Sequence, residues 1–137
     1  MNRIIKNRVR KIFSFAESSG TKPDAIIIKN GIEGQLDSTF FYLSNIRSGL
    51  FEGCSIIAYP SGSISVLTSK LEEQSALETP DIEVITFENE SEYKKLLNKK
   101  LMKISILGIN YGEITLGNYL WIKKNFQGIK LIDISKP

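Results

Sequence analysis

The side chains best equipped for recognition lie close together between Asp37 and Gly53, where the chain reads Asp-Ser-Thr-Phe-Phe-Tyr-Leu-Ser-Asn-Ile-Arg-Ser-Gly-Leu-Phe-Glu-Gly. Tyr42, Asn45 and Arg47 supply a hydroxyl, an amide and a guanidinium, three hydrogen-bonding groups of different character. Phe40, Phe41 and Phe51 surround them. A plain connection in a compact domain needs only about 4–6 residues. A much longer and aromatic one must pack on its own domain or on something else. Two readings stay open together: a short buried helical turn that plugs one end of a sheet, and a surface that meets a partner or lines a pocket.

Bond-breaking chemistry is poorly supplied. The chain has no histidine, hence no imidazole base, no Ser-His or Cys-His pair and no mixed His/carboxylate metal site. Asp24, Asp37, Asp81, Glu113 and Asp133 read as carboxylates scattered at element ends rather than clustered. Cys54 has no base beside it and reads as a small apolar residue at a strand start. Gly108, Gly112 and Gly117 bracket a strand-to-helix turn of the kind that can cradle phosphate. Their spacing fits neither the P-loop nor the dinucleotide fingerprint, so they read as turn geometry.

Composition bounds the rest. The 137 residues suit a single domain spanning 1–137. An apolar content of 42% and a charged content of 24% are ordinary for a globular chain. One cysteine excludes an internal disulfide framework and fits a reducing, cytoplasmic setting. No apolar run approaches the roughly 18 residues of a membrane helix, and the first residues lack a signal-peptide core. The sequon Asn89-Glu90-Ser91 therefore reads as chance. A net charge of +3 is too weak to imply nucleic acid. The basic face of the first helix (Arg3, Lys6, Arg8, Arg10, Lys11) reads as solvated, having no aromatic or glycine-rich companion.

The elements that must position these residues follow from periodicity. Residues 3–16 read as an amphipathic helix with Ile5, Val9, Ile12, Phe13 and Ala16 inward and Asn2 as N-cap, stopped by Ser18-Ser19-Gly20. Ala25–Ile28 is a β-branched run suited to a strand buried on both faces. Ser55–Tyr59 and Ser63–Thr68 form a hairpin around Pro60-Ser61-Gly62. Ser69-Lys70-Leu71-Glu72 has the pattern of a capping box opening a helix to Leu77. Strands at 82–87, 103–107 and 129–134 then alternate with helices at 90–100 and 115–126. On the last helix Leu116, Tyr119, Leu120 and Phe126 mark the inward side. Trp121 falls well around from it, which predicts an exposed tryptophan at an interface. A hairpin followed by strand–helix alternation predicts a three-layer α/β/α domain, with an open mixed sheet of five or six strands. The end at Lys136-Pro137, just after a strand, reads as a domain cut.

That order resembles the ribonuclease H-like architecture, but nucleases on it need carboxylates on central strands, and Ala25–Ile28 is wholly apolar. A closer resemblance is carried by Phe41-Tyr42-Leu43-Ser44-Asn45. The segment is similar to the tyrosine-leucine-threonine-glycine motif in the N-terminal domain shared by prolidases, Xaa-Pro aminopeptidases and creatinases. Phe51-Glu52-Gly53, the hairpin turn at Gly62, Ser69–Ala76, Ile106-Leu107-Gly108, Ile114-Thr115 with Tyr119, and Leu131–Ser135 follow in the family's order, from about Lys6 to Ser135. Asn45 stands where glycine is usual, which a left-handed asparagine accommodates. Asn110 stands near where glutamate is common.

The resemblance implies a non-catalytic domain that supports homodimerisation and borders the neighbouring subunit's active site. The parent enzyme would cut the bond preceding proline with two divalent ions, manganese or cobalt, held in a C-terminal catalytic domain outside this chain. Phe41, Tyr42, Asn45, Arg47 and Trp121 become its pocket or interface candidates, and proline-containing peptides its substrates, with no nucleic acid or membrane partner. A free-standing binding domain of the same fold is the alternative. Titrated with manganese or cobalt in a calorimeter, the purified chain is expected to give only weak heats and to leave Xaa-Pro peptides intact. Stoichiometric micromolar binding would overturn this reading.

Overall fold

In the computed structural model, which describes residues 3–18, 20, 22–32, 35–80 and 82–135, six strands share one mixed sheet. β1 (Ala25–Lys29), β2 (Ser55–Ala58), β3 (Ile64–Ser69), β4 (Glu83–Phe87), β5 (Ile106–Ile109) and β6 (Lys130–Asp133) lie in the order β4-β3-β2-β1-β5-β6. β1 pairs antiparallel with β2, Ile27 opposite Ile57, and parallel with β5, Ile27 opposite Ile109. The β2–β3 hairpin closes where Tyr59 N–H donates to Ser63 and Gly62 N–H to Tyr59, with Gly62 at φ 100°. That left-handed angle suits glycine. The parallel pairs β3–β4 and β5–β6 are bridged by helical crossovers, as parallel strands require.

Period-two alternation divides the sheet residues between two cores. Ile26, Ile28, Ile56, Ala58 and Val66 pack under α1 (Arg3–Ser18), α2 (Ser38–Ser44) and the buried Ala76 of α3 (Glu73–Leu77). Ala25, Ile27, Ile57, Leu67 and Leu107 pack under α4 (Glu90–Leu101) and α5 (Leu116–Asn125). The result is the expected three-layer α/β/α domain with six strands. No helix among the described residues is long and apolar enough to cross a membrane.

Several local expectations change. The first helix runs on to Ser18, and Gly20, at φ 84°, ends it by donating to Glu17. Asn2, Ser19 and Asp81 lie outside the described residues. Burial of Leu101 prolongs α4, so β5 begins at Ile106 rather than Lys103. Ser69 caps nothing with its side chain, because it is still in β3, and Glu72 turns instead to the amides of Leu50 and Phe51. A 3₁₀ turn, Lys70–Glu72, therefore precedes α3.

The inward face of α5 was also misjudged. Leu116 is 71% and Leu120 52% exposed, whereas Ile122 is buried and Trp121 half-buried. The Trp121 ring lies 5.7 Å from Tyr93 and 5.9 Å from Phe126. Apolar residues surround this helix, and a polar one, Asn118, turns inward to reach the Asn30 carbonyl at 3.2 Å. Counting apolar positions alone could not locate that face.

Asn45 closes α2 at φ 58°, ψ 21°, with its N–H on the Phe41 carbonyl at 3.0 Å. Only glycine and asparagine take that conformation readily. Asn45→Ala is expected to lower stability by about 1 kcal/mol, and Asn45→Gly by a few tenths at most. Urea denaturation of the two variants checks this.

Candidate functional site

β2 alone runs antiparallel to its neighbours, so the carboxyl ends of the other five strands share one edge of the sheet. There the chain leaves β1 towards α2 on one face and leaves β5 towards α5 on the other. Such a switch point opens a crevice between adjacent strand ends. An asparagine stands at each exit, Asn30 and Asn110, both buried.

Asn30 holds the long connection shut. Its Nδ2 donates to the Phe51 carbonyl at 3.1 Å, and its Oδ1 accepts from the Asp37 N–H at 2.8 Å. Asp37 then caps α2 by accepting from Thr39 N–H at 2.9 Å. Phe40, Leu43 and Phe51 are fully buried, with the Phe40 and Phe51 ring centroids 5.3 Å apart. Phe41 meets both rings from a half-buried position. The segment thus forms a buried helical plug on the α1 face.

Its polar groups disperse around that plug. Tyr42 is exposed beneath the Arg8 guanidinium, 4.7 Å from its ring centroid, and Arg8 also donates to the Tyr42 carbonyl at 2.7 Å. Asn45 and Arg47 share a separate cavity of about 240 Å³ with Ser48, Ser75, Glu78 and Pro80. Trp121 lies against the opposite face of the sheet. Of the five candidates, Asn45 and Arg47 share this cavity, and Trp121 lines another.

Two carboxylates that read as scattered are brought together. Asn110 Nδ2 lies 3.3 Å from both Asp37 oxygens and 3.2 Å from Glu113 Oε2, and Ser38 Oγ donates to Glu113 at 3.0 Å. Burial, reinforced by Glu113, pushes the Asp37 carboxyl up to about 7. The hydrogen bond from Asp37 holds the exposed Glu113 below the usual range, with help from Ser38 and Asn110. The pair shares one proton near neutrality. Asp37 read only as one of the carboxylates at element ends, and its meeting with Glu113 depends on β1 lying beside β5. Among the described residues no group of three His, Cys, Asp or Glu side chains could hold a metal ion.

A further site was missed altogether. On the α4/α5 face of the same edge, a cavity of about 460 Å³ opens between the N-termini of those helices. Lys29 Nζ sits there, 4.1 Å from the Tyr93 ring centroid and 5.3 Å from that of Trp121. Burial brings its pKa down to about 8. Period-two alternation from Ala25 and Ile27 does put Lys29 on this face, but the rings that meet it come from two distant helices.

The model of the creatinase/prolidase N-terminal domain matches residues 8–137. No curated protein matches by sequence. Among solved structures, an X-Pro aminopeptidase from Thermotoga maritima superposes with a TM-score of 0.74 at 18% identity, over 93% of this chain and 33% of its own. The prolidase from Pyrococcus horikoshii gives 0.66 at 23%, over 93% and 32%. The creatinase/prolidase N-terminal domain of an X-Pro dipeptidase from Streptococcus pyogenes gives 0.69 at 11%, over 93% of both chains. The chain thus spans about a third of the full-length peptidases it matches. At these identities the structural likeness is one of fold.

The shared proton has a consequence for stability. Asp37 titrates near 7 in the fold against 3.8 ordinarily, so its contribution is full below about pH 4 and is lost as pH rises through 7. Glu113 acts oppositely, its contribution lost as pH falls below 4.5. Asp37→Asn keeps the cap acceptor and offers Glu113 an N–H in place of the proton. Urea midpoints between pH 5 and 7 are expected to fall with pH in the unaltered protein and to flatten in the variant. Equal slopes would overturn this account.

Proposed function

The chain belongs to the creatinase/prolidase N-terminal domain family, and from that premise we propose that it is the non-catalytic N-terminal domain of an Xaa-Pro dipeptidase or aminopeptidase. In this reading it supports a cytoplasmic homodimer and borders the active site of the neighbouring subunit. The parent enzyme hydrolyses the peptide bond preceding proline. One observation carries the reading. The fold matches nearly the whole of this chain to about a third of full-length peptidases, and to nearly all of a separately solved N-terminal domain.

The surface supports it. Leu116 and Leu120 on α5, and Leu71 and Leu77 around α3, are exposed apolar side chains of the kind that docking covers. The donor set of the chain does not fit a bridged pair of manganese or cobalt ions, since histidine is absent and no cluster of three ligands forms among the described residues. In this reading such ions belong to a further, catalytic domain, and no hydrolytic step falls to the residues described here. What falls to this chain is positioning. Arg47 and Asn45, side by side in one cavity, offer a guanidinium and an amide to a peptide terminus. A free-standing binding domain is the second reading, favoured by the Lys29 cavity, which is lined by residues of this chain.

The test is the reading frame past codon 137 and the activity of its product. A catalytic domain that cleaves Xaa-Pro dipeptides supports the first reading, and a stop codon the second. In the longer enzyme Arg47→Ala is expected to raise KM roughly ten-fold, as loss of a charge-assisted hydrogen bond would, with the unfolding midpoint unchanged. Unaltered kinetics would remove Arg47 from the site.

A further inference from the structure

We propose that the cavity between the N-termini of α4 and α5 binds a small carboxylate carried on a flat apolar body, with Lys29 meeting its charge. The cavity, about 460 Å³, has the size of an ordinary small-molecule site. Its walls include the rings of Phe87, Tyr93 and Trp121, and two of these already lie against the Lys29 ammonium. Ring faces stabilise a cation but accept none of its strong hydrogen bonds. Among the described residues no carboxylate comes within ion-pair distance of Lys29. Glu90 acts on it only through space. A half-buried ammonium with no anion in contact favours a ligand that brings one.

The polar end of the cavity suits the same charge. Thr115 Oγ1 takes the Asn118 N–H at 3.1 Å, and Asn89 Oδ1 takes the Glu92 N–H at 2.8 Å. The earlier amides of each first turn have no partner within their helix. Gly117 has nothing within 4 Å of where a Cβ would stand, which leaves its backbone open to approach. One lysine among aromatic walls matches one negative charge on an apolar ring. Inorganic phosphate would bring more charge than Lys29 balances, and nothing apolar for the rings.

Among the described residues, the titratable groups acting on Lys29 are Cys54, Glu90 and the Tyr93 ring. Glu90 opposes an anion, and burial holds the Cys54 thiol and the Tyr93 phenol above their ordinary ranges, hence neutral near pH 7. The inference does not depend on the peptidase reading, because it concerns this chain alone.

Trp121 is the only tryptophan, so its emission reports on the cavity. The 137-residue chain is titrated with sodium benzoate at pH 6.5 and constant ionic strength, with benzamide and inorganic phosphate as comparators. Benzoate is expected to change the emission saturably, and benzamide and phosphate to bind at least ten-fold more weakly. Glu90→Gln is expected to tighten benzoate binding, and Lys29→Met to abolish it with circular dichroism intact. Should Lys29→Met fail to fold, the unaltered protein decides: its benzoate affinity is expected to fall as pH rises through about 8. No saturable response, equal binding of benzamide or phosphate, or an affinity indifferent to Lys29 or to that pH range would overturn the proposal.

Discussion

A buried amide must find partners for its donor and its acceptor, and Asn30 finds them at both ends of one long connection. Left unmatched at the end of a central strand, that side chain would be costly to bury. Matched, it fixes where Asp37 starts α2 and where Phe51 enters the core. Its carbonyl also accepts from Asn118, so α5 on the other face is tied to the same residue. One side chain and its backbone thus join three segments that sequence keeps far apart. The aromatic plug, its cap and the crevice at the strand ends all depend on that arrangement.

The two electrostatic anomalies of the domain share a cause. Asp37 and Lys29 lie at the same edge of the sheet, on opposite faces, and each is drawn towards its neutral form by burial. Their surroundings differ in what compensates them. Asp37 has a proton-sharing neighbour in Glu113, an amide from Asn110 and the first turn of a helix, a closed and satisfied set. Lys29 has ring faces and an open cavity. The first is a structural tie between α2 and the end of β5. The second is an ammonium set against aromatic rings at a cavity between two helix N-termini.

A likeness of fold at low identity constrains function only as far as residues match. The mixed six-stranded sheet and its flanking helices reproduce the creatinase/prolidase N-terminal fold.

Alternation and punctuation were enough to read the layers, the hairpin and the order of elements. The apolar run Ala25–Ile28, the Pro60–Gly62 turn and the alternation beyond β3 are local signals whose meaning does not depend on distant neighbours. The aromatic stretch also announced itself, since its composition could not be left in water. The inward face of α5 was not legible, because a helix with apolar residues on every side has no stripe to follow and its inward contact is made by Asn118. Nor was the capping at Ser69, where the strand pairing continues one residue further and leaves the serine in β3. The pairing of Asp37 with Glu113 and the placing of Lys29 between Tyr93 and Trp121 required the tertiary structure. Both depend on β5 crossing over to lie beside β1, a non-local contact that no window of sequence contains.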